Sequence, residues 1–323
     1  PVPSDEGGAG QPHRSTPYPV ASRSVTWDIE GRTALITGGN SGIGLATAIA
    51  LVQRGATVVI TARDLHRGRV AASRIKAETG TSAIPMVLDL ASLDSVRLFT
   101  DALTDRLGRI DLLINNAGCY VTPRRETVDG FEWTMAVNHL GPFLVTCRLA
   151  RDPSTRPDRI VNVASDVHRS ARRDVGFHNL EPTGRYRGTE AYARSKLANI
   201  IFTRELARRL VSTSVAFSVH PGLVATRITQ DGDSRVGALI WKLASSRMKT
   251  PAQGAATVVY AATASGIETH TGAYFADGGL AQPGGPALDS DAAARLWTQS
   301  VIATGCDIDH GRKPVGGGTV THR

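Results

Sequence analysis

The chain has 323 residues, 41% hydrophobic and 20% charged, with a formal net charge of +8. That balance belongs to a soluble globular protein with room for one large α/β domain or two smaller ones. No apolar run approaches the ~20 residues of a membrane span, residues 1–26 lack a signal-peptide core, and the scattered arginines form no long basic run with interleaved aromatics, which argues against nucleic acid.

Residues 1–26 are rich in Pro, Gly and Ser without periodicity and read as a disordered tail; residues 310–323 look equally loose. Between them, short β-branched runs alternate with amphipathic stretches, the pattern of parallel βαβ units. Strands are expected at 33–37, 57–61, 84–88, 111–115, 159–165 and 215–220, with a late one at 272–276. Helical patterns fill the gaps, for instance 43–54, 67–79, 92–107 and 190–210. Near-continuous apolar strands imply a sheet covered on both faces. The expectation is therefore α/β: one doubly wound Rossmann-type parallel sheet of about seven strands in a single domain over 27–309. Cys119, Cys147 and Cys306 show no metal spacing and no paired framework, so no metal is expected and a reducing cytoplasm fits. The surplus of Ala, Arg and Gly suggests a GC-rich bacterial gene.

TGGNSGIG, residues 37–44, follows the first strand and opens the first helix. Gly38, Gly42 and Gly44 follow G-x3-G-x-G rather than the usual dinucleotide fingerprint, but the physics is shared: a tight turn brings backbone N–H groups and a helix N-terminus to a pyrophosphate. Gly38, Asn40, Ser41, Gly42, Ile43 and Gly44 are the candidate contacts; a ligand-free glycine-rich loop is the alternative. The second strand ends TAR, with Ala62 where relatives using NAD often place an acid, and Arg63 next. A guanidinium suits a 2′-phosphate, so NADP(H) is expected in preference to NAD(H), although Asp64 stands beside Arg63 as a rival partner.

In YARSK, Tyr192 and Lys196 stand four apart in a helical segment and so share a face. A phenol has a pKa of about 10, and a nearby cation lowers it, which would suit proton exchange. The same spacing also occurs in ordinary surface helices.

Taken in order, TGGNSGIG, Asp89-Leu90, NNAG at 115–118, Asn138 in VNHLG, Ser165 in VNVAS, Tyr192 and Lys196 in YARSK, and HPG at 220–222 resemble the short-chain dehydrogenase/reductase family over residues 29–305. NHLGPFLVT at 138–146, VHPGLVAT at 219–226 and DGGLAQPGGPALDSDAAARLW at 277–297 are most similar to its retinol dehydrogenase-like branch, whose relatives include protochlorophyllide reductases. The resemblance implies that Tyr192 is the general acid/base, that Lys196 lowers its pKa and holds the nicotinamide ribose, that Ser165 holds the substrate oxygen, and that Asn138 organises a proton relay. It further implies that Asp89 and Leu90 bracket the adenine and that Asn116, Ala117 and Gly118 line the adenosine ribose side. Pro221, Gly222, Val224 and Thr226 would meet the nicotinamide end and pyrophosphate. His220 reads as structural; His139 and His168 are further histidines close to the motifs, and His168 follows the serine closely enough to line the pocket.

Residues 227–250, with Trp241 and Met248, correspond to the family's variable substrate lid, or else to a packing helix or subunit contact. An apolar lid favours a lipophilic or polycyclic carbonyl or alcohol substrate. Segment 166–189 is long and basic and borders the same region; its arginines either meet an acidic substrate group or are solvated. Relatives often form homodimers through the helix after NHLG, but here Pro153 and Pro157 interrupt it, which weakens that expectation. No membrane anchor of the vertebrate retinol dehydrogenase kind is expected. The resulting expectation is an NADP(H)-dependent ketone or aldehyde reductase, reversible as an alcohol dehydrogenase. A non-catalytic NADP(H)-sensing regulator is the alternative, although such proteins typically lose the tyrosine or lysine. A sugar-nucleotide epimerase of the extended group would need a TGxxGxxG turn and a larger C-terminal domain.

Overall fold

In the computed structural model, the described residues are 27–181, 184–211, 213–224 and 249–308. Both tails, Thr226 and most of the expected lid, including Trp241 and Met248, lie outside them. The strands are β1 (Thr33–Ile36), β2 (Thr57–Ala62), β3 (Ile84–Val87), β4 (Leu112–Asn115), β5 (Arg159–Val163), β6 (Val215–His220), β7 (Tyr274–Ala276) and β8 (Gly279–Ala281). They form one sheet in the order β3-β2-β1-β4-β5-β6-β7-β8, parallel throughout except for β8. The last strand exceeds the seven expected: a two-residue turn at Asp277-Gly278 returns the chain antiparallel to β7, too short a pattern to read from sequence. Pro85 sits in edge strand β3, where a missing N–H is tolerated.

The period of two along each strand divides the core. Ala34, Ile36, Ile60, Ile114 and Val163 pack with α1 (Gly42–Val52), α2 (Leu65–Thr79) and α7 (Pro251–Thr263). Leu35, Val59, Leu113 and Ile160 face the opposite way, onto α3 (Leu93–Leu107), α5 (Gly141–Ala150), α6 (Gly188–Arg209) and α8 (Ser290–Thr304). Both faces are thus covered, which explains the uninterrupted apolar runs. α5 ends at Ala150, before Pro153. A short helix α4 (Trp133–Met135) leads through a π-helical turn, Ala136–Leu140, into α5.

A buried polar ladder sets the register of α6 on the sheet. Asn115 of β4 donates to Asn162 of β5 (2.8 Å) and Thr146 of α5 (2.9 Å), and Asn162 donates to Thr203 of α6 (2.9 Å). In a low-dielectric interior such bonds are costly to break, so they specify one placement of the helix. The face bearing Tyr192 and Lys196 is thereby fixed against the ends of β4 and β5.

Candidate active site

Every motif residue within the described region lies at or beyond the carboxyl end of a strand, or on a helix packed there. The strand order reverses between β1 and β4, and such a reversal opens a crevice for ligands. In the turn after β1, Gly38 and Gly42 take φ of +64° and +54°, values that a side chain strongly disfavours. Gly44 is required by space instead: a Cβ there would lie 2.5 Å from both the Gly38 carbonyl oxygen and Asn116 Nδ2. Asn116 Nδ2 donates to the Thr37 carbonyl at 2.9 Å, and Thr37 Oγ1 accepts the N–H groups of Asn116 (3.0 Å) and Ala117 (3.1 Å). Thr37 therefore stitches the two strand ends together; the motif hinted at it only as its first letter.

Side chains cap α2, α3, α7 and α8, through Asp64, Ser92, Thr250 and Asp289. By contrast Ser41, at the cap of α1, makes no side-chain cap bond, and no acid stands in the first turn of α1. Its N–H groups and positive dipole end are left for an anion, flanked by partly exposed Asn40 and buried Ile43. Exposed Arg63 follows the end of β2, while Asp64 accepts from the backbone N–H groups of His66 (2.6 Å) and Arg67 (3.3 Å). Asp89 accepts from Ala91 N–H at 3.0 Å, and Leu90 packs on Gly141, where a Cβ would clash at 2.7 Å. A glycine turn opening onto an uncapped helix fits the phosphates of a dinucleotide. Beyond β6, Pro221 is buried, a Cβ on Gly222 would meet Lys249, and Val224 bridges to Lys249.

Two of the four candidate catalytic residues, Asn138 and Lys196, converge beside Gly118. A Cβ on that glycine would sit 3.2 Å from Lys196 Nζ and 3.4 Å from Asn138 Oδ1. Asn138 is fully buried on the π-helical turn, a feature that often marks functional sites. Its amide accepts from Cys119 N–H (2.7 Å) and donates to the Cys119 carbonyl (3.0 Å) and Ser195 Oγ (2.9 Å). Lys196 Nζ donates to the Val163 carbonyl at 3.0 Å and lies 5.7 Å from the Tyr192 ring centroid. Burial lowers Lys196 to about 8. Burial dominates the Tyr192 phenol and pushes it up to about 12, with Cys119 adding to the rise and the neighbouring Ser165 hydroxyl opposing it. The Tyr–Lys spacing suggests a lowered phenol, whereas the fold raises it: α6 is buried along this face, and desolvation of the phenolate outweighs the neighbours that favour it. Tyr120, which the motif reading passed over, packs edge-on against Tyr192 at 6.0 Å.

The histidines separate from this centre. His139 is buried against Phe143 and Phe202, hydrogen-bonds Ser300 at 2.8 Å and is lowered to about 3 by burial. His220 Nδ1 accepts Asp166 N–H at 3.2 Å and so braces the serine turn. His168 does not open onto the pocket as its sequence position suggests: it is 2% exposed with both ring nitrogens engaged. Arg169 and Arg173, in the basic segment, donate to the carbonyls of Gln282 (2.6 Å) and Arg185 (2.8 Å).

A family model described as short chain dehydrogenase matches residues 32–178. Retinol dehydrogenase 11 of Mus musculus is 41% identical over 284 residues, covering 87% of this chain and 89% of that protein. Among solved structures, an uncharacterized protein from Mycobacterium paratuberculosis superposes with a TM-score of 0.71 at 32% identity, over 88% of this chain and 98% of its own. The RhlG/NADP active-site complex of Pseudomonas aeruginosa gives 0.60 at 28% identity, over 81% and 99%. Sheet order, glycine turn and these likenesses agree, and the chain belongs to the short-chain dehydrogenase/reductase family, in its retinol dehydrogenase-like branch.

Proposed function

We propose that this oxidoreductase uses NADP(H) to interconvert a ketone or aldehyde and its alcohol on a lipophilic small molecule, in the cytoplasm. The reading is carried by Asn138 and Lys196 flanking Gly118, with the Tyr192 ring centroid 5.7 Å from the Lys196 ammonium and Ser165 next to the Tyr192 phenol. Nicotinamide supplies or accepts the hydride; the protein must orient the substrate and manage charge on its oxygen. Ser165 and the neighbouring Tyr192 phenol are a pair of donors for that oxygen. As negative charge develops there, Tyr192 gives up its proton. An alkoxide is a far stronger base than a phenolate, so the transfer is downhill even from a phenol at about 12. Lys196, still charged at neutral pH, steadies the resulting phenolate. Asn138, tied to Cys119 and Ser195, holds the backbone beside Lys196 and organises the path by which the proton is restored.

Arg63 after Ala62 supports the preference for NADP(H), as does the likeness to a structure solved with NADP. The lipophilic substrate is supported by the naming of curated relatives as retinol dehydrogenases. Among the described residues no helix is long and apolar enough to cross a membrane. The test is a fluorescence titration with NADPH and NADH, followed by reduction of all-trans-retinal and a panel of bulky aldehydes and ketones. Tight NADPH binding with turnover is expected. Failure to bind either nucleotide would sink the proposal, and tight binding without any turnover would favour a sensor.

A further inference from the structure

His168 stands three residues after Ser165, in the short 3-10 turn Asp166–Ser170. Its ring lies edge-on to Tyr274 of β7, with centroids 5.5 Å apart. Nδ1 is 2.7 Å from the Ser165 carbonyl oxygen, and Nε2 is 2.8 Å from the Gly284 backbone nitrogen. A carbonyl can only accept and an N–H can only donate, so the two partners dictate the tautomer: the proton sits on Nδ1 and the lone pair on Nε2. Position 284 must approach closely, since a Cβ there would lie 3.3 Å from Nε2. Next to it, Arg169 donates to the Gln282 carbonyl at 2.6 Å, so consecutive residues fasten Gln282–Gly284 to the serine turn.

The geometry points to His168 as a positioning residue, a strut of fixed tautomer that sets the Ser165 hydroxyl relative to the C-terminal stretch Gln282–Gly284. This rests on the reading of Ser165 as the group that holds the substrate oxygen. Protonation would turn Nε2 into a donor facing the Gly284 donor, and the strut would fail. Asp166 and the Ser165 carbonyl favour the cation; burial and Arg169 oppose it, with the Tyr274 phenol and His220 the other titratable groups nearby. Burial is the largest of these, so the ring titrates below the usual histidine range and the strut is intact at neutral pH.

Two amide substitutions separate its two bonds. His168→Asn places an amide nitrogen near the Nδ1 position and keeps the bond to Ser165. His168→Gln reaches the Nε2 position and keeps the bond to Gly284. With NADPH and all-trans-retinal, His168→Gln is expected to lower kcat about tenfold, as one lost positioning bond allows. His168→Asn should instead raise KM while retaining most of kcat, and NADPH affinity should hold in both. In the wild type kcat should fall at acid pH as the ring is protonated, and each variant should lose that limb. Independently of turnover, long-range 1H–15N spectra of the wild type at pH 7 should show the Nδ1–H tautomer at this ring. An Nε2–H tautomer, an averaging ring that titrates near 6.5, or variants with native kcat, KM and acid limb would overturn the assignment. If the wild type turned over no carbonyl, the catalytic reading would fail while the spectra still decided the strut.

Discussion

The Lys196 ammonium lies 3.0 Å from the Val163 carbonyl oxygen, one helical turn from the Tyr192 phenol on the same face of α6. A cation pinned at the end of β5 is thus held beside a phenol whose own burial resists ionisation. Lys196 is lowered to about 8, so its charge is present below that pH and lost above it. Reductive kcat/KM should therefore decline as pH rises through about 8. Lys196→Arg, which keeps its charge, should move that limb beyond the accessible range; an unmoved limb would assign it to another group.

Tyr192 sits at about 12, so alcohol oxidation, which needs the phenolate, should accelerate as pH rises while reduction declines. Tyr192→Phe removes the proton donor while leaving the ring. Turnover should fall at least about a hundredfold, within the range of a lost general acid, with NADPH binding nearly intact by fluorescence. Retained turnover would mean that another group donates the proton.

Arg63 tests cofactor choice. Arg63→Ala should weaken NADPH roughly ten- to a hundredfold, the scale of lost charged hydrogen bonds, and leave NADH almost unchanged. Equal losses for both nucleotides in parallel titrations would place the 2′-phosphate elsewhere.

Gly44→Ala drives a methyl group against the Gly38 carbonyl and Asn116 Nδ2, both 2.5 Å from its position. Backbone must move, at about 1–3 kcal/mol. Thermal unfolding should show a lowered midpoint with the fold retained, and NADPH affinity should drop at least about tenfold.

His139 governs part of the acid stability. Its folded pKa of about 3 lies below the ordinary 6.5, so the unfolded chain takes up the proton first. Stability is full above about 6.5 and is lost as pH falls toward 3, at up to about 1.4 kcal/mol per unit. Urea midpoints at pH 7 and pH 5 should converge in His139→Gln relative to wild type. An unchanged difference would show that other groups carry the acid sensitivity.

The alternation of β-branched runs and amphipathic stretches marked every long strand within a residue or two, because a sheet buried on both faces tolerates little else. The edge strand β8 and the π-helical turn under Asn138 left no comparable trace. The first is three residues of a tight hairpin, too short to show a period, and the second accompanies the bonds of Asn138 to Cys119, nineteen residues away.

The motif residues were visible as letters in order because their positions restrict the side chain: glycine where a Cβ would collide, tyrosine and lysine one turn apart on α6. Their electrostatics were not visible. Spacing alone suggested a phenol lowered by Lys196, but the depth of α6 in the fold, which only packing sets, raised it instead. The same holds for the histidines. Nothing local to VNHLG or DVHRS separates a catalytic imidazole from a core residue or a strut. What separated them was the tertiary partner, Ser300 for His139 and Gly284 for His168, each more than a hundred residues away along the chain. Sequence determined which groups were available; the folded chain decided which were wet, which were charged and which were already engaged, since solvation and hydrogen bonding belong to the three-dimensional neighbourhood.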